Sequence, residues 1–345
     1  MVLPTLKPVG FAVLGLGRFA QCAILPAFRD SHKAKLVAVV SGDKPKATRL
    51  AMKFGASGTY SYEELPACFR NPQVEAVYIA TNNSSHARHA IEVANAGRHV
   101  LCEKPMANSV DECSQMLKAC RASGVRLMIA YRKYFDPASR ELRRLISSGK
   151  LGRLKYIHSA FSIVCRPRGK ARAWRLDGKP EGGGPLPDLG VYCVNTVRWL
   201  LGKEPLEASA YRWTTDPETF SKVEENIAFR LNFPGGVVMQ ATASFGAAHS
   251  SFLQIHGEKG WAAWNPAYEW NEERCLFGKV GNQCFEKKFK VTDEVARELD
   301  AFAYSIRRQC EPEPSGVQGL RDVAILTAID QSARDGRVVP ISLPE

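Results

Sequence analysis

The chain has 345 residues, of which 45% are hydrophobic and 24% charged, and its formal net charge is +12 at pH 7. This composition is typical of a folded globular protein and the length favours two domains, while no stretch approaches the roughly 18 uncharged apolar residues that a membrane helix needs. The Lys and Arg residues are spread along the chain without a long basic run. We therefore predict a solvated basic surface that also serves an anionic ligand, with no nucleic-acid or membrane partner.

The N-terminus and the cysteines bear on the cellular compartment and on metal binding. The first ten residues contain neither the basic region nor the long apolar core of a secretory signal, which predicts a cytoplasmic protein. None of the ten cysteines forms a Cys-x-x-Cys pair, and their apolar surroundings are typical of buried thiols in a reducing compartment. Because no histidine and cysteine cluster has zinc-ligand spacing, we predict no metal site.

The first half of the chain alternates short β-branched runs with amphipathic segments of helix length, which is the pattern of parallel βαβ units. The strands are nearly continuous apolar runs, as expected when helices cover both faces of a sheet. The predicted strands are 11–15, 36–41, 74–80, 99–102 and 126–131, and the predicted helices are 18–30, 44–54, 84–97 and 108–122. We therefore predict an α/β protein whose residues 1–131 form a Rossmann domain, to which a C-terminal helix returns.

The second half of the chain has a different pattern, rich in strands. The predicted elements are a strand at 155–164, a helix at 188–201 after a Gly/Pro-rich stretch at 179–187, strands at 206–214, 225–233, 236–244 and 251–256, and helices at 292–309 and after Val317. Such a run of strands favours an antiparallel sheet. We predict that residues 132–345 form an α+β domain with a large, mostly antiparallel, open-faced sheet.

A glycine motif follows the first predicted strand. Gly15 and Gly17, with Ala20, fit G-x-G-x-x-G/A, and the motif opens a helix within a series of βαβ units, which is its confirming context. Gly15 permits a tight turn, Gly17 lets a pyrophosphate approach the backbone, and Ala20 allows close packing of helix and strand. We predict a dinucleotide site at this helix N-terminus, with Arg18 and Phe19 beside the cofactor. The alternative is a purely structural glycine turn.

The end of the second strand bears on the choice between NAD and NADP. An NAD site usually carries Asp or Glu at this position to bind the ribose 2′-hydroxyl. Here the strand ends at Ser41, and Lys44 and Lys46 follow closely. Asp43 lies past the strand end and is still able to reach a ribose. Ser41 with the lysines suits a 2′-phosphate better, so we predict NADP, with NAD as the alternative.

Three motifs together resemble one oxidoreductase family. They are the Gly15 motif, Glu-Lys-Pro at 103–105, and the run Gly-Gly-Gly-Pro-Leu-Pro-Asp-Leu-Gly-Val-Tyr at 182–192. In combination they resemble the glucose–fructose oxidoreductase / inositol dehydrogenase / rhizopine-catabolism (Gfo/Idh/MocA) family over essentially the whole chain. The Ser-Gly pair at 41–42 and Trp174-Arg175 favour its glucose–fructose oxidoreductase branch. So does a tyrosine at 192, where most members carry histidine.

The resemblance implies a catalytic set of Lys104, Asp188 and Tyr192. Asp188 and Tyr192 are four residues apart at the start of a predicted helix and therefore share one face. A tyrosine in water, with a pKa near ~10, is a poor base unless a neighbouring ammonium favours its phenolate. By resemblance, Tyr192 is the general acid/base, Lys104 binds the same substrate oxygen, and Asp188 orients the substrate. The alternatives are a packing role for Tyr192 and a helix N-cap role for Asp188.

The resemblance also implies cofactor contacts from several loops. The residues concerned are Asn82, Asn83, His86, Glu103, Lys104, Arg132, Trp174 and Arg175. Glu103 is expected at the nicotinamide ribose, while Trp174 and Arg175 are expected to close over the nicotinamide. His86 is alternatively only a helix-start residue, and Trp174 and Arg175 alternatively belong to an ordinary loop.

The predicted function is NADP-dependent hydride transfer on a sugar or polyol, of glucose–fructose oxidoreductase type. One alternative is an ordinary aldose or cyclitol dehydrogenase that exchanges its cofactor at each turnover. Another is a dinucleotide-sensing regulatory protein without catalysis, against which the joint presence of Lys104, Asp188 and Tyr192 argues. The resemblance further implies a homodimer or homotetramer formed through the C-terminal sheet.

Overall fold

The computed structural model describes residues 7–166, 174–178 and 182–344. The chain divides into two compact units, Met1–Tyr131 with Asp293–Leu320 and Arg132–Thr292 with Arg321–Glu345. Within the described residues, none of the helices is both long and apolar enough to cross a bilayer. Part of the predicted Gly/Pro-rich stretch, residues 179–181, lies outside the described residues.

The first unit is built on a six-stranded parallel sheet with the strand order β3-β2-β1-β4-β5-β6. Its strands are β1 (Val9–Leu14), β2 (Ala34–Val40), β3 (Gly58–Tyr60), β4 (Ala76–Ile79), β5 (His99–Glu103) and β6 (Leu127–Ala130). Every residue of β1, β4 and β6 is buried, as expected for parallel strands covered on both faces. This order is that of a doubly wound dinucleotide-binding fold, which confirms the predicted Rossmann sheet.

The helices of the first unit follow the predicted pattern with two exceptions. They are α1 (Leu25–Ala27), α2 (Lys44–Phe54), α3 (Leu65–Arg70), α4 (His86–Asn95), α5 (Val110–Ala122) and α8 (Glu294–Arg308), and α9 (Gly316–Asp335) begins in this unit. The predicted helix 18–30 is instead a π-helical turn, Ala20–Ile24, continued by the short α1. Pro26 cannot donate an amide hydrogen bond, so a regular α-helical ladder cannot run through it. Neither β3 nor α3 was predicted.

The second unit contains a nine-stranded sheet with the order β14-β13-β12-β11-β7-β10-β9-β8-β15. Its strands are β7 (Leu154–Ser162), β8 (Glu207–Trp213), β9 (Asn226–Phe233), β10 (Val237–Ser244), β11 (Ser250–Gly257), β12 (Gly260–Asn265), β13 (Arg274–Val280), β14 (Gln283–Phe289) and β15 (Val339–Pro340). Among the described residues of this sheet, β7 and β10 are the one pair of strands that run in parallel, so the predicted mostly antiparallel sheet is confirmed. The helices α6 (Pro137–Ser147) and α7 (Val191–Leu201) belong to this unit.

The two faces of this sheet differ in burial. Along β7, the side chains of Ile157 and Phe161 are buried on the inner face, whereas Tyr156, His158 and Ala160 on the alternate face remain at least partly exposed. We call the second surface the open face. The same alternation holds on β9 and β10. A half-exposed sheet face of this kind is a common interaction surface.

Candidate active site

The glycine turn between β1 and the π-helical turn has the shape that a dinucleotide requires. Gly15 has φ +96°, and a Cβ there would lie 2.6 Å from the carbonyl oxygen of Ala80, so only glycine is tolerated. A Cβ at Gly17 would meet no atom within 4 Å, which leaves open space beside the exposed backbone of this residue. Ala20 is buried, whereas Arg18 is exposed and Phe19 half-buried. The geometry of this turn therefore fits the predicted dinucleotide site, in which a pyrophosphate would approach the backbone at Gly17.

The end of β2 carries the residues that bear on cofactor choice. Ser41 is buried, and its hydroxyl accepts a 3.2 Å hydrogen bond from the amide of Asp43. Asp43 is the N-cap of α2, since its carboxylate accepts a 3.0 Å bond from the amide of Lys46. The Lys46 ammonium lies 3.9 Å from the other Asp43 oxygen. Asp43 is thus engaged in capping, and Lys46 holds its positive charge close to the strand end.

His86 joins the loop after β4 to the loop after β5. Its ring is fully buried, with Nδ1 2.9 Å from the carbonyl oxygen of Pro105 and Nε2 3.2 Å from that of Thr81. Burial lowers the pKa of His86. Asn82 and Asn83 lie in the same loop, and Asn83 is buried. A contact of these three residues with the cofactor remains a prediction, and the geometry assigns His86 a role in fixing both loops.

The Glu-Lys-Pro motif lies at the carboxyl end of β5. The Tyr78 hydroxyl donates a 2.8 Å hydrogen bond to one Glu103 oxygen, and the amide of Lys104 donates a 3.2 Å bond to the other. Burial and the nearby carboxylates raise the pKa of Tyr78 well above its usual range, so this phenol stays a donor. These two hydrogen bonds hold the Glu103 carboxylate in one orientation. The Lys104–Pro105 peptide bond is cis.

In the second unit, Asp188 lies in a π-helical turn, Leu186–Gly190, that leads directly into α7. Its carboxylate is almost fully buried and forms a 2.6 Å ion pair with Nε of Arg175. This carboxylate raises the pKa of the Arg175 guanidinium. The residues at the N-caps of the π-helical turn and of α7 are Pro185 and Gly190, so Asp188 is not an N-cap. The Arg175–Asp188 pair was not predicted, although both residues were.

Tyr192 occupies a distinctive place on α7. Val191 and residues 193–200 are all buried, whereas the Tyr192 side chain is partly exposed. The Tyr192 ring centroid lies 5.6 Å from that of Phe161, edge to face, and 5.8 Å from that of Tyr268. The Arg132 guanidinium lies 5.3 Å over the Tyr192 ring, within the range of cation–π attraction. Packing on these sides orients the phenol while part of it stays accessible.

Arg132 contacts the main chain of the segment between β12 and β13. Arg132 is buried and donates hydrogen bonds to the carbonyl oxygens of Tyr268, at 2.5 Å, and Glu269, at 3.0 Å. It therefore holds the segment that packs against Tyr192, and contact with the cofactor remains a prediction.

Trp174 and Arg175 lie in a short 3₁₀ turn, where the Arg175 guanidinium stacks 4.6 Å from the centroid of the Trp174 ring.

A buried charge cluster close to Arg132 in the chain was missed by sequence reasoning. Asp136 is fully buried and pairs with Nζ of Lys133, at 3.2 Å, and Nε of Arg274, at 2.8 Å. Its other oxygen accepts a 2.7 Å hydrogen bond from the Ala138 amide at the start of α6. Asp136 precedes α6 and Arg274 begins β13, so the two residues are far apart in the sequence. No local sequence pattern therefore predicts that they are paired.

Asp136→Asn is expected to lower the free energy of unfolding by about 3 kcal/mol. The amide keeps an oxygen for capping α6 but leaves two buried cations without their counter-charge. Urea denaturation measures this loss. Asp43→Asn, at an exposed N-cap, is the matched control and should cost well under 1 kcal/mol. Equal losses in the two variants would contradict a charge role for Asp136.

Comparison with known proteins agrees with this architecture. Residues 9–131 match the GFO_IDH_MocA family model, described as an oxidoreductase family with an NAD-binding Rossmann fold, and residues 139–263 match the GFO/IDH/MocA C-terminal domain. The chain is 30% identical to a D-xylose 1-dehydrogenase [NADP(+)] of Haloarcula marismortui, over 95% of this chain and 91% of that protein. It is 29% identical to a D-xylose 1-dehydrogenase (NADP(+)) 2 of Haloferax volcanii, over 96% and 99%.

One solved structure is similar to this chain over nearly its whole length. The crystal structure of an aldose-aldose oxidoreductase from Caulobacter crescentus, complexed with glycerol, superimposes with a TM-score of 0.92. The two sequences are 32% identical, and the match covers 97% of this chain and 100% of that one. Taken with the strand order, the Gly15 turn and both family models, this similarity shows that the chain belongs to the Gfo/Idh/MocA family of oxidoreductases.

Proposed function

We propose that this protein transfers hydride between NADP and a carbon of a sugar, with aldoses as the first substrates to test. The observation that carries the proposal is the partial exposure of Tyr192 on a helix whose neighbouring side chains are buried. The side chain is thus partly open to a ligand, while its ring packs against Phe161, Tyr268 and Arg132. The similarity to D-xylose dehydrogenases and to an aldose-aldose oxidoreductase supports an aldose substrate.

In this proposal the residues divide the chemistry between them. Tyr192 removes the proton of the substrate hydroxyl during oxidation and returns it during reduction, as a general acid/base does. Lys104 binds the same oxygen and stabilises the phenolate form of the tyrosine. Asp188, held by Arg175, orients the substrate through hydrogen bonds. When bound, the nicotinamide would supply the hydride acceptor. Gly15 and Gly17 are the proposed contacts of the cofactor's pyrophosphate, and Glu103 is the proposed contact of its nicotinamide ribose.

The proposal includes a preference for NADP over NAD. Ser41 with Lys46 offers a hydroxyl and an ammonium to a 2′-phosphate, and such charge-assisted hydrogen bonds are strong. Lys46→Ala is expected to weaken NADP binding by about 10-fold or more and NAD binding little. Lys53→Ala, near the other end of α2, is the control and should change neither affinity. Equal affinity of the native protein for the two cofactors, or tighter binding of NAD than of NADP, would refute this preference.

Direct exchange between two sugars is the proposed reaction type, as the name of the Caulobacter relative suggests. In such a cycle one sugar reduces the bound cofactor and a second sugar reoxidises it. The test is the absorbance of the purified protein in the reduced-nicotinamide band, without added cofactor. We expect the band to rise on adding an aldose and to fall on adding a second sugar. A protein that is purified without nicotinamide and turns over only with added NADP would instead be an ordinary dehydrogenase.

We also propose that two chains pair through the open face of the nine-stranded sheet. The Tyr211 side chain on β8 is 69% exposed and stacks with Trp213, which leaves apolar surface on this face. We expect sedimentation to show at least a dimer at micromolar concentration, and Tyr211→Glu to shift it towards monomer because the charge would be buried at the contact. Tyr304→Glu, at an exposed tyrosine of the first unit, is the control. A monomeric native protein would refute the pairing.

A further inference from the structure

Three side chains of the second unit bring metal-ligating atoms together. His249 precedes β11, while Glu269 and Glu272 lie in the segment between β12 and β13. Nε2 of His249 is 2.7 Å from one carboxylate oxygen of Glu269. One ligating atom from each of the three residues lies within 4.8 Å of the other two. We call these residues the His249 cluster.

The buried carboxylate of Glu269 points to a ligand at this cluster. Glu269 is only 6% exposed, and among the described residues its Oε1 atom has no hydrogen-bond partner. Burying an ionised oxygen without a partner is costly, so such an atom usually meets a group that the polypeptide does not supply. The oxygen belongs to the same carboxylate that contacts His249, and therefore lies within the cluster.

The main chain at Glu269 is held firmly before any ligand arrives. Its carbonyl oxygen accepts hydrogen bonds from Arg132 at 3.0 Å, Lys133 at 2.6 Å and Arg274 at 2.8 Å. Asp136 partly balances these charges by pairing with Lys133 and Arg274. Glu272 and the half-exposed His249 lie on the accessible side, so a solvated ion can reach the cluster.

We propose that the His249 cluster binds one divalent first-row transition cation, with Zn²⁺ preferred over Mn²⁺. One imidazole and two carboxylates are a suitable donor set for Zn²⁺, and three protein ligands leave one coordination position for water or a substrate oxygen. The Irving–Williams order places Zn²⁺ above Mn²⁺ at a mixed nitrogen and oxygen site. The metal replaces the His249–Glu269 hydrogen bond, because the imidazole nitrogen must be unprotonated to ligate. This inference does not rest on the proposed sugar chemistry.

The cluster could not be found from spacing along the chain. Its histidine and its two glutamates come from opposite ends of the β11–β12 hairpin, and they meet where the strand β11 begins and the strand β12 has ended. The His249 ring lies 6.5 Å from that of Phe161, which also contacts Tyr192. A bound cation would thus be separated by one aromatic ring from the proposed acid/base.

The test is calorimetric titration of the full-length, chelator-treated protein with ZnCl₂, MnCl₂ and MgCl₂ in separate experiments. We expect one Zn²⁺ per chain in the micromolar range or tighter, with weaker Mn²⁺ binding and no measurable Mg²⁺ binding. Titration with Co²⁺ should produce visible absorption bands of a protein-bound ion. Failure of the native protein to bind Zn²⁺ would overturn the proposal and leave His249 and Glu269 as a hydrogen-bonded pair only.

Matched variants locate the site. His249→Ala and Glu272→Gln should each weaken Zn²⁺ binding by about 100-fold or more, since losing a direct ligand costs at least as much as losing a partner that only orients one. His158→Ala and Glu273→Gln are the controls, because neither residue belongs to the cluster, and they should bind Zn²⁺ as the native chain does. Glu272 is exposed, so its substitution should not disturb folding, which circular dichroism checks. Native Zn²⁺ affinity in both cluster variants would overturn the assignment.

Discussion

Tyr192→Phe is expected to reduce turnover on the true substrate by about 10²–10⁴-fold, the usual contribution of a general acid/base. The substitution removes only the hydroxyl and retains the ring that packs against Phe161 and Tyr268. Cofactor affinity and thermal stability should therefore change little. Steady-state kinetics measures turnover, and fluorescence titration of the cofactor measures its affinity on the same preparation. Thermal denaturation measures the stability.

The control for this variant is Tyr156→Phe, which removes a hydroxyl from a tyrosine on the open face of the sheet. It should retain native turnover. If Tyr192→Phe also turned over at the native rate, the base would have to be another residue. Asp188 would then be the first to test, and the proposed roles would be wrong even though the family assignment would stand.

Lys104→Ala is expected to reduce turnover at least as much as Tyr192→Phe. In the proposed mechanism, the substitution removes both a contact to the reacting oxygen and the positive charge that would stabilise the phenolate. The backbone should stay in place, because the Lys104 amide still bonds Glu103 and the Pro105 carbonyl still contacts His86. The expected loss lies in kcat, with dissociation of the cofactor changed by less than about 10-fold.

Lys104→Arg tests whether positive charge alone is enough at this position or whether the ammonium group of lysine is needed. It retains the positive charge but not the compact ammonium, so partial recovery of kcat is expected relative to Lys104→Ala. Lys118→Ala, at an exposed lysine on α5, is the control for a general loss of positive charge. Native kcat in Lys104→Ala would contradict the role proposed for this residue.

Local sequence patterns accounted for most of the first unit. The apolar strands and the Gly15 turn each depend on a few neighbouring residues, so the Rossmann fold and the class of cofactor could be predicted from them. The π-helical turn Ala20–Ile24 could not, because apolar periodicity does not distinguish it from a regular helix. On the second sheet, the strands β12, β13, β14 and β15 were not predicted. For β14 the reason is that most of its residues are exposed and charged or polar, so it has no apolar alternation.

The candidate site was predictable as residue types but not as contacts. Asp188 and Tyr192 were predicted through the resemblance to the Gfo/Idh/MocA family, and their spacing of four residues agrees with it. The Arg175–Asp188 ion pair and the position of Arg132 over the Tyr192 ring depend on loops and strands distant in sequence. The same holds for Asp136 with Arg274 and for the His249 cluster. Such long-range pairs leave no periodic signal in a single sequence.

The most direct test of the central claim is a panel of aldoses, ketoses and cyclitols, assayed in parallel with NADP and NAD by absorbance in the reduced-nicotinamide band. We predict that at least one aldose reduces bound or added NADP, at a higher kcat/KM than with NAD, and that Tyr192→Phe abolishes most of this signal. Tight NADP binding with no reduction by any sugar or cyclitol would contradict the account and indicate a dinucleotide-binding protein without sugar oxidoreductase activity.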